Sequence, residues 1–131
     1  MIKFLPVPKK YEKYEQLIAD IKNICRKYEV WLGLESWSLD VDWGKLEDGV
    51  AEVTVSPEYY VASLKFDPKA ISEASGSTDS HVRHEFIHIL NWPMREFAIT
   101  IAKTEQVKEL ARKTEERVTS DWERAPFWSR L

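Results

Sequence analysis

Absences narrow the 131-residue sequence before any motif is read. It has one cysteine, Cys25, so no internal disulfide can form and a cysteine-based zinc finger is impossible. Cys25 falls on the apolar side of a helical pattern, where a small inert thiol is expected. No apolar run approaches the roughly 20 residues that span a bilayer. The segment Met1-Ile-Lys-Phe-Leu-Pro-Val-Pro is too short and too rich in proline for a signal peptide. A cytoplasmic protein without a membrane partner is expected. Basic residues are not in excess: 19 Lys and Arg stand against 22 Asp and Glu, a net charge of −3, so nucleic acid is not an expected partner. Charge is uneven, acidic over residues 31–60 and basic over 1–30, which first suggests solvated surface. There is no internal repeat and no low-complexity linker.

What is present suits a single domain over residues 1–131. Hydrophobic residues make up 44% of the chain, with six tryptophans, five tyrosines and five phenylalanines, enough to fill a core. Residues 10–28 place Tyr11, Tyr14, Leu17, Ile18, Ile21, Ile24, Cys25 and Tyr28 at three- and four-residue steps, predicting a helix. From Trp31 the period changes to two. Trp37, Leu39, Val41 and Trp43 predict one half-buried strand, Ala51, Val53 and Val55 a second, and Tyr59–Phe66 a third. Residues 68–78 read as a loop or short helix. Met94–Thr104 is apolar and partly helical in pattern. Glu105–Arg124 reads as a long helix with an inner stripe of Val107, Leu110, Ala111, Thr114 and Val118. The tail, with Trp122, Pro126, Phe127 and Trp128, is expected to fold back onto the body. The fold class is α+β.

The chemistry concentrates in His84-Glu85-Phe86-Ile87-His88, an H-E-x-x-H pattern. On a helix, positions i and i+4 share a face, so both imidazoles can address one metal ion. Glu85 sits beside them, placed to take a proton from water activated by that ion. This is the donor arrangement of zinc hydrolases. Ser77, Thr78, Asp79 and Ser80 offer N-caps, and Asn91-Trp92-Pro93 is expected to end the helix, giving about residues 79–91. His81 shares the face of His84 and suits a first-turn surface histidine, with a supporting role at the site as the alternative.

Catalytic zinc takes three protein ligands. All three histidines lie within residues 81–88, so the third ligand is sought on the last helix, among Glu105, Glu109, Glu115, Glu116, Asp121 and Glu123. Glu115 borders the inner stripe whereas Glu116 points to the solvent side, so Glu115 is the expected ligand, followed by Glu116 and Glu109.

The pentapeptide, followed by a helix containing Glu115-Glu116-Arg117-Val118, resembles the gluzincin branch of zinc metallopeptidases. More narrowly it is similar to small metallopeptidase-like proteins encoded by phages and prokaryotes. The resemblance covers most of the chain in layout, but only the pentapeptide is a specific motif. It implies a zincin-like minimal domain: an N-terminal helix, about three strands, the H-E-x-x-H helix and a C-terminal helix. It implies Zn2+ held by His84, His88 and Glu115, with Glu85 as general base in peptide-bond hydrolysis of a protein or peptide substrate. The sequence departs from the family in lacking the third histidine of metzincins and the Asn-Glu-x-x-Ser-Asp form of larger gluzincins. Substrate is expected to add as a strand to an exposed sheet edge, with Tyr59–Phe66 the candidate. Tyr59 and Tyr60 are weaker candidates for donating to an oxyanion. A non-catalytic metal-binding or interaction module is the alternative, against which the presence of Glu85 argues.

Overall fold

The period-two segments form a four-stranded mixed sheet. In the computed structural model, which describes residues 1–125 and Trp128, β1 (Ile2–Phe4), β2 (Ser38–Trp43), β3 (Ala51–Ser56) and β4 (Val61–Phe66) lie in the order β1-β2-β4-β3. The pairs β1–β2 and β2–β4 are parallel, and β3 runs antiparallel to β4. Leu39, Val41 and Trp43 of β2 and Ala62, Leu64 and Phe66 of β4 are buried, while Ser38, Asp42 and Ser63 on the opposite face are exposed. That alternation turns one sheet face to a helical layer.

Helix α1 (Glu15–Trp31), entered through a 3-10 turn at Lys9–Tyr14, buries Ile18, Ile21, Cys25 and Tyr28 in the core. The short helix α2 (Pro68–Glu73) is capped by Asp67, whose side chain accepts from the Ala70 N–H at 3.2 Å. Helix α3 (Thr78–Ile101) adds Val82, Phe86 and Ile89, each fully buried. These three recur at i, i+4 and i+7, the inner stripe of an amphipathic helix. The last helix, α4 (Glu105–Glu123), returns antiparallel along α3 after a three-residue connection. Trp128 packs edge-on against Tyr28 with ring centroids 5.7 Å apart, so the tail does fold back; Pro126 and Phe127 lie outside the described residues. No helix among the described residues is long and apolar enough to cross a membrane.

Four expectations need correction, the first being the inner stripe of α4: Val107, Leu110 and Thr114 are exposed, and the residues that α4 buries are Glu115 and Thr119. Strand β1 was not foreseen, because three residues are too few to show a period. The Tyr59–Phe66 segment is not an edge: β4 is paired on both sides, by β2 and β3, and the free edges belong to β1 and β3. Pro93 does not end α3, which continues to Ile101. Proline removes one backbone donor, here the one facing the Ile89 carbonyl, and crowds that carbonyl. The cost is borne all the same, and the extra turns carry Met94–Ile101 alongside Val107–Thr114. The apolar stripe of α4 consequently lines an open cleft of about 770 Å³ shared with Met94, Ala98 and Ile101, and Leu110 is 62% exposed.

Pro93 is exposed, so Pro93→Ala touches no core contact. It should stabilise the protein by about 1–3 kcal/mol, part of the helix-interior penalty of proline. Chemical denaturation measures this, and a loss of stability would show that proline itself favours the native course of α3.

Candidate metal centre

Ser77 caps α3, its hydroxyl oxygen accepting from the Ser80 N–H at 3.0 Å. With Val82, Phe86 and Ile89 facing the core, the neighbouring face presents His81, His84, Glu85 and His88 to a groove of about 530 Å³. The groove is walled by residues 49–53 on one side and by α4 on the other.

Two turns of α3 meet one carboxylate of α4. His84 Nε2 lies 2.9 Å from Glu116 Oε1, and His88 Nε2 lies 3.1 Å from Glu116 Oε2. The imidazole rings are nearly perpendicular, with centroids 4.8 Å apart. One ligand atom from each of His84, His88 and Glu116 falls within 4.8 Å of the others, close enough to hold one metal ion. Ligands at tetrahedral zinc stand about 3.3 Å apart, so small side-chain adjustments suffice. Two imidazole nitrogens and one carboxylate oxygen also match zinc in chemistry.

Glu115 is buried and Glu116 exposed, as expected, yet it is Glu116 that joins the donor group expected to include Glu115. Glu115 is buried and faces the far nitrogen of His88, with Oε1 2.8 Å from Nδ1. Thr119 donates to the same Oε1 at 3.1 Å, and Asn91 donates to the Thr119 hydroxyl at 3.1 Å. A carboxylate accepting from Nδ1–H fixes the tautomer that leaves Nε2 free for a metal. Glu116, expected to face solvent, reaches both histidines across an open groove; its side chain remains 56% exposed. Of the remaining acids, Glu109 pairs with Arg112 and Glu105 with Lys108 on the surface. Glu123 lies 4.0 Å from His84 Nδ1 and 3.8 Å from Arg83. Among the described residues, Asp121 belongs to no group able to hold a metal. His81 lines the groove but is anchored to the Ser75 carbonyl through Nε2 at 2.9 Å. No tyrosine lines it: Tyr59 and Tyr60 are exposed, and the Tyr60 ring rests on Trp37.

Glu85 is only 6% exposed, and its Oε2 has no hydrogen-bond partner among the described residues. Burial pushes its carboxyl up to about 7, opposed by His88 and reinforced by the charges of Glu116, Glu115 and Glu52. Burial also disfavours the imidazolium of His88, but its bond to Glu115 and the charges of Glu85, Glu115 and Glu116 outweigh that and raise it. Both shifts have one sign for stability. Between about pH 4.5 and 7 the folded chain keeps the Glu85 proton that the unfolded chain has released, so stability falls as pH rises through this window. The contribution of His88 is fully present below its unfolded value of 6.5 and is lost as pH rises through its higher folded one. In chelator, therefore, the melting temperature should decline from pH 5 to pH 8, and Glu85→Gln should flatten the first part of the decline. An equally steep decline in the variant would assign the titration to other groups.

No protein-family model, curated protein or solved structure matches this chain.

Proposed function

We propose that this chain is a zinc-dependent peptide hydrolase of the gluzincin type, with His84, His88 and Glu116 as metal ligands and Glu85 as general base. One observation carries the proposal: a buried carboxyl with an unpartnered oxygen, Glu85, beside a three-residue donor set in an open groove. A metal held for structure alone has no use for such a group. Carboxyls pushed toward neutrality in clefts suit proton transfer at working pH.

Zinc bound there supplies a Lewis acid that lowers the pKa of water and polarises a carbonyl. The residues of the chain do the rest. Glu85 accepts a proton from the attacking water and returns it to the leaving amine. Glu115, held by Thr119, keeps the His88 ring in one tautomer and one orientation. The free edge of β3 flanks the groove through Ala51, Glu52 and Val53, so an extended peptide can add as a further strand, its backbone satisfied without strong sequence preference.

The test is turnover of an unstructured protein such as casein by the purified chain, abolished by chelator and restored by zinc. Stoichiometric zinc without turnover would leave a non-catalytic metal-binding module. Absence of bound zinc would remove both.

A further inference from the structure

Beyond His88 the groove changes sign. Arg95 and Arg112 line the same groove as His84, His88 and Glu116. Arg95 stands seven residues after His88 on α3, two turns along the same face. Arg112 precedes Glu116 by one turn on the antiparallel helix, so both guanidiniums come to one end. At 1.5 Å per residue Arg95 lies about 10 Å along its helix from His88, and Arg112 about 6 Å along its own from Glu116. An extended peptide advances about 3.3 Å per residue, which places the arginines two or three residues from the bond over that group.

Arg95 is positioned by an aromatic ring, and both arginines are only lightly engaged. The Arg95 guanidinium lies 4.1 Å from the Trp92 ring centroid, and Trp92 meets His88 edge-on at 6.5 Å. Stacking of this kind fixes a planar cation without using its donors. Among the described residues each arginine pairs with one carboxylate, at 3.3 Å through Nη1: Glu96 for Arg95 and Glu109 for Arg112. Both glutamates are about half exposed, 47% and 54%. Such surface pairs hold weakly and exchange readily. Of the acids of the groove, Glu115 comes nearest Arg112 in sequence, three residues on, and its carboxylate is bound to His88 and Thr119.

We propose that Arg95 and Arg112 form a carboxylate-binding subsite that selects substrates with a negative charge two or three residues from the scissile bond. This rests on the groove being a peptide site. The shared chemistry is a carboxylate, supplied either by an internal acidic side chain or by a free C-terminus. Arginine suits it through the fork of donors that meets a carboxylate with two bonds.

The experiment measures binding in chelator, so that neither turnover nor metal contributes. Three alanine–glutamine host decapeptides serve as probes: one with a single internal glutamate and an amidated end, one neutral with a free carboxylate end, and one neutral and amidated. One or both acidic peptides should bind about tenfold or more tighter than the neutral amide, and which one does identifies the source of the charge. Arg95→Gln and Arg112→Gln should each remove most of that gap while leaving the neutral peptide unchanged. Arg112→Glu should shift preference toward a lysine-containing peptide. Equal binding of all three peptides, no binding of any, or equal weakening of acidic and neutral peptides by the variants would overturn the subsite. Turnover of casein without an acidic preference would remove the subsite alone. An acidic preference without turnover would leave the subsite standing and count against hydrolysis.

Discussion

Purified without chelator and offered zinc, the chain should hold close to one ion per molecule, and His84→Ala or His88→Ala should abolish stoichiometric binding. Each histidine presents Nε2 to the same carboxylate, at 2.9 Å and 3.1 Å, so removing either ring leaves two protein donors where catalytic zinc takes three. The α4 glutamates should separate by role. Glu116→Ala removes a donor atom and should weaken zinc as severely as loss of a histidine. Glu115→Ala removes the acceptor of His88 Nδ1–H and should cost about 10–100-fold, the usual effect of a partner that orients a ligand. Competition titration against a chromophoric chelator gives the affinities, and circular dichroism shows whether each variant is folded. A larger loss for Glu115→Ala than for Glu116→Ala would make Glu115 the ligand. A wild-type chain that binds no zinc ends the metal hypothesis.

That separation turns on one residue of register, which is where sequence periodicity stops resolving. The stripe of Val107, Leu110, Ala111, Thr114 and Val118 is apolar but not inner: Val107, Leu110 and Thr114 are exposed, Ala111 and Val118 half-buried, and the buried residues of α4 are Glu115 and Thr119. Burial and coordination are nonetheless different requirements. The buried carboxylate is drawn into the Asn91–Thr119–His88 hydrogen bonds, because a carboxylate taken from water needs donors. The neighbour at the groove mouth keeps the freedom to reach both Nε2 atoms. A Glu-Glu pair signals both roles without ordering them. The pentapeptide itself was legible, since i and i+4 on a helix suffice to bring two rings together, as was the N-cap at Ser77. Strand order was not. Nothing in the alternation of Tyr59–Phe66 says that Ala51–Ser56 will lie outside it, because both segments show the same period, and edge status depends on pairing with β2. The length of α3 was hidden by Pro93 because the local rule is a cost rather than a prohibition, and the sequence does not show where that cost is borne. Arg95 and Arg112 gave no signal in the sequence; only the antiparallel return of α4 brings them to one groove.

Glu85→Gln should retain zinc and the fold while lowering hydrolysis by about 10²–10⁴-fold, the range of a general acid–base contribution. The exchange is nearly isosteric. It removes no hydrogen bond at Oε2, which has none among the described residues, and it replaces a buried acid that ionises at a cost with a group that never ionises. The chelated variant should therefore be at least as stable as wild type at pH 8, a gain that a residue serving the fold would not give on removal. The metal donors are untouched, so zinc stoichiometry should remain close to one. The nearest alternatives are already engaged: His84 and His88 with Glu116, Glu115 with His88 and Thr119, and His81 with the Ser75 carbonyl. Three measurements on one variant, zinc content, melting temperature and turnover, then distinguish the roles. Joint loss of zinc and turnover would place the Glu85 carboxylate on the metal. Unchanged turnover would put the base elsewhere in the groove, with Glu123, 4.0 Å from His84 Nδ1, the next carboxylate to examine.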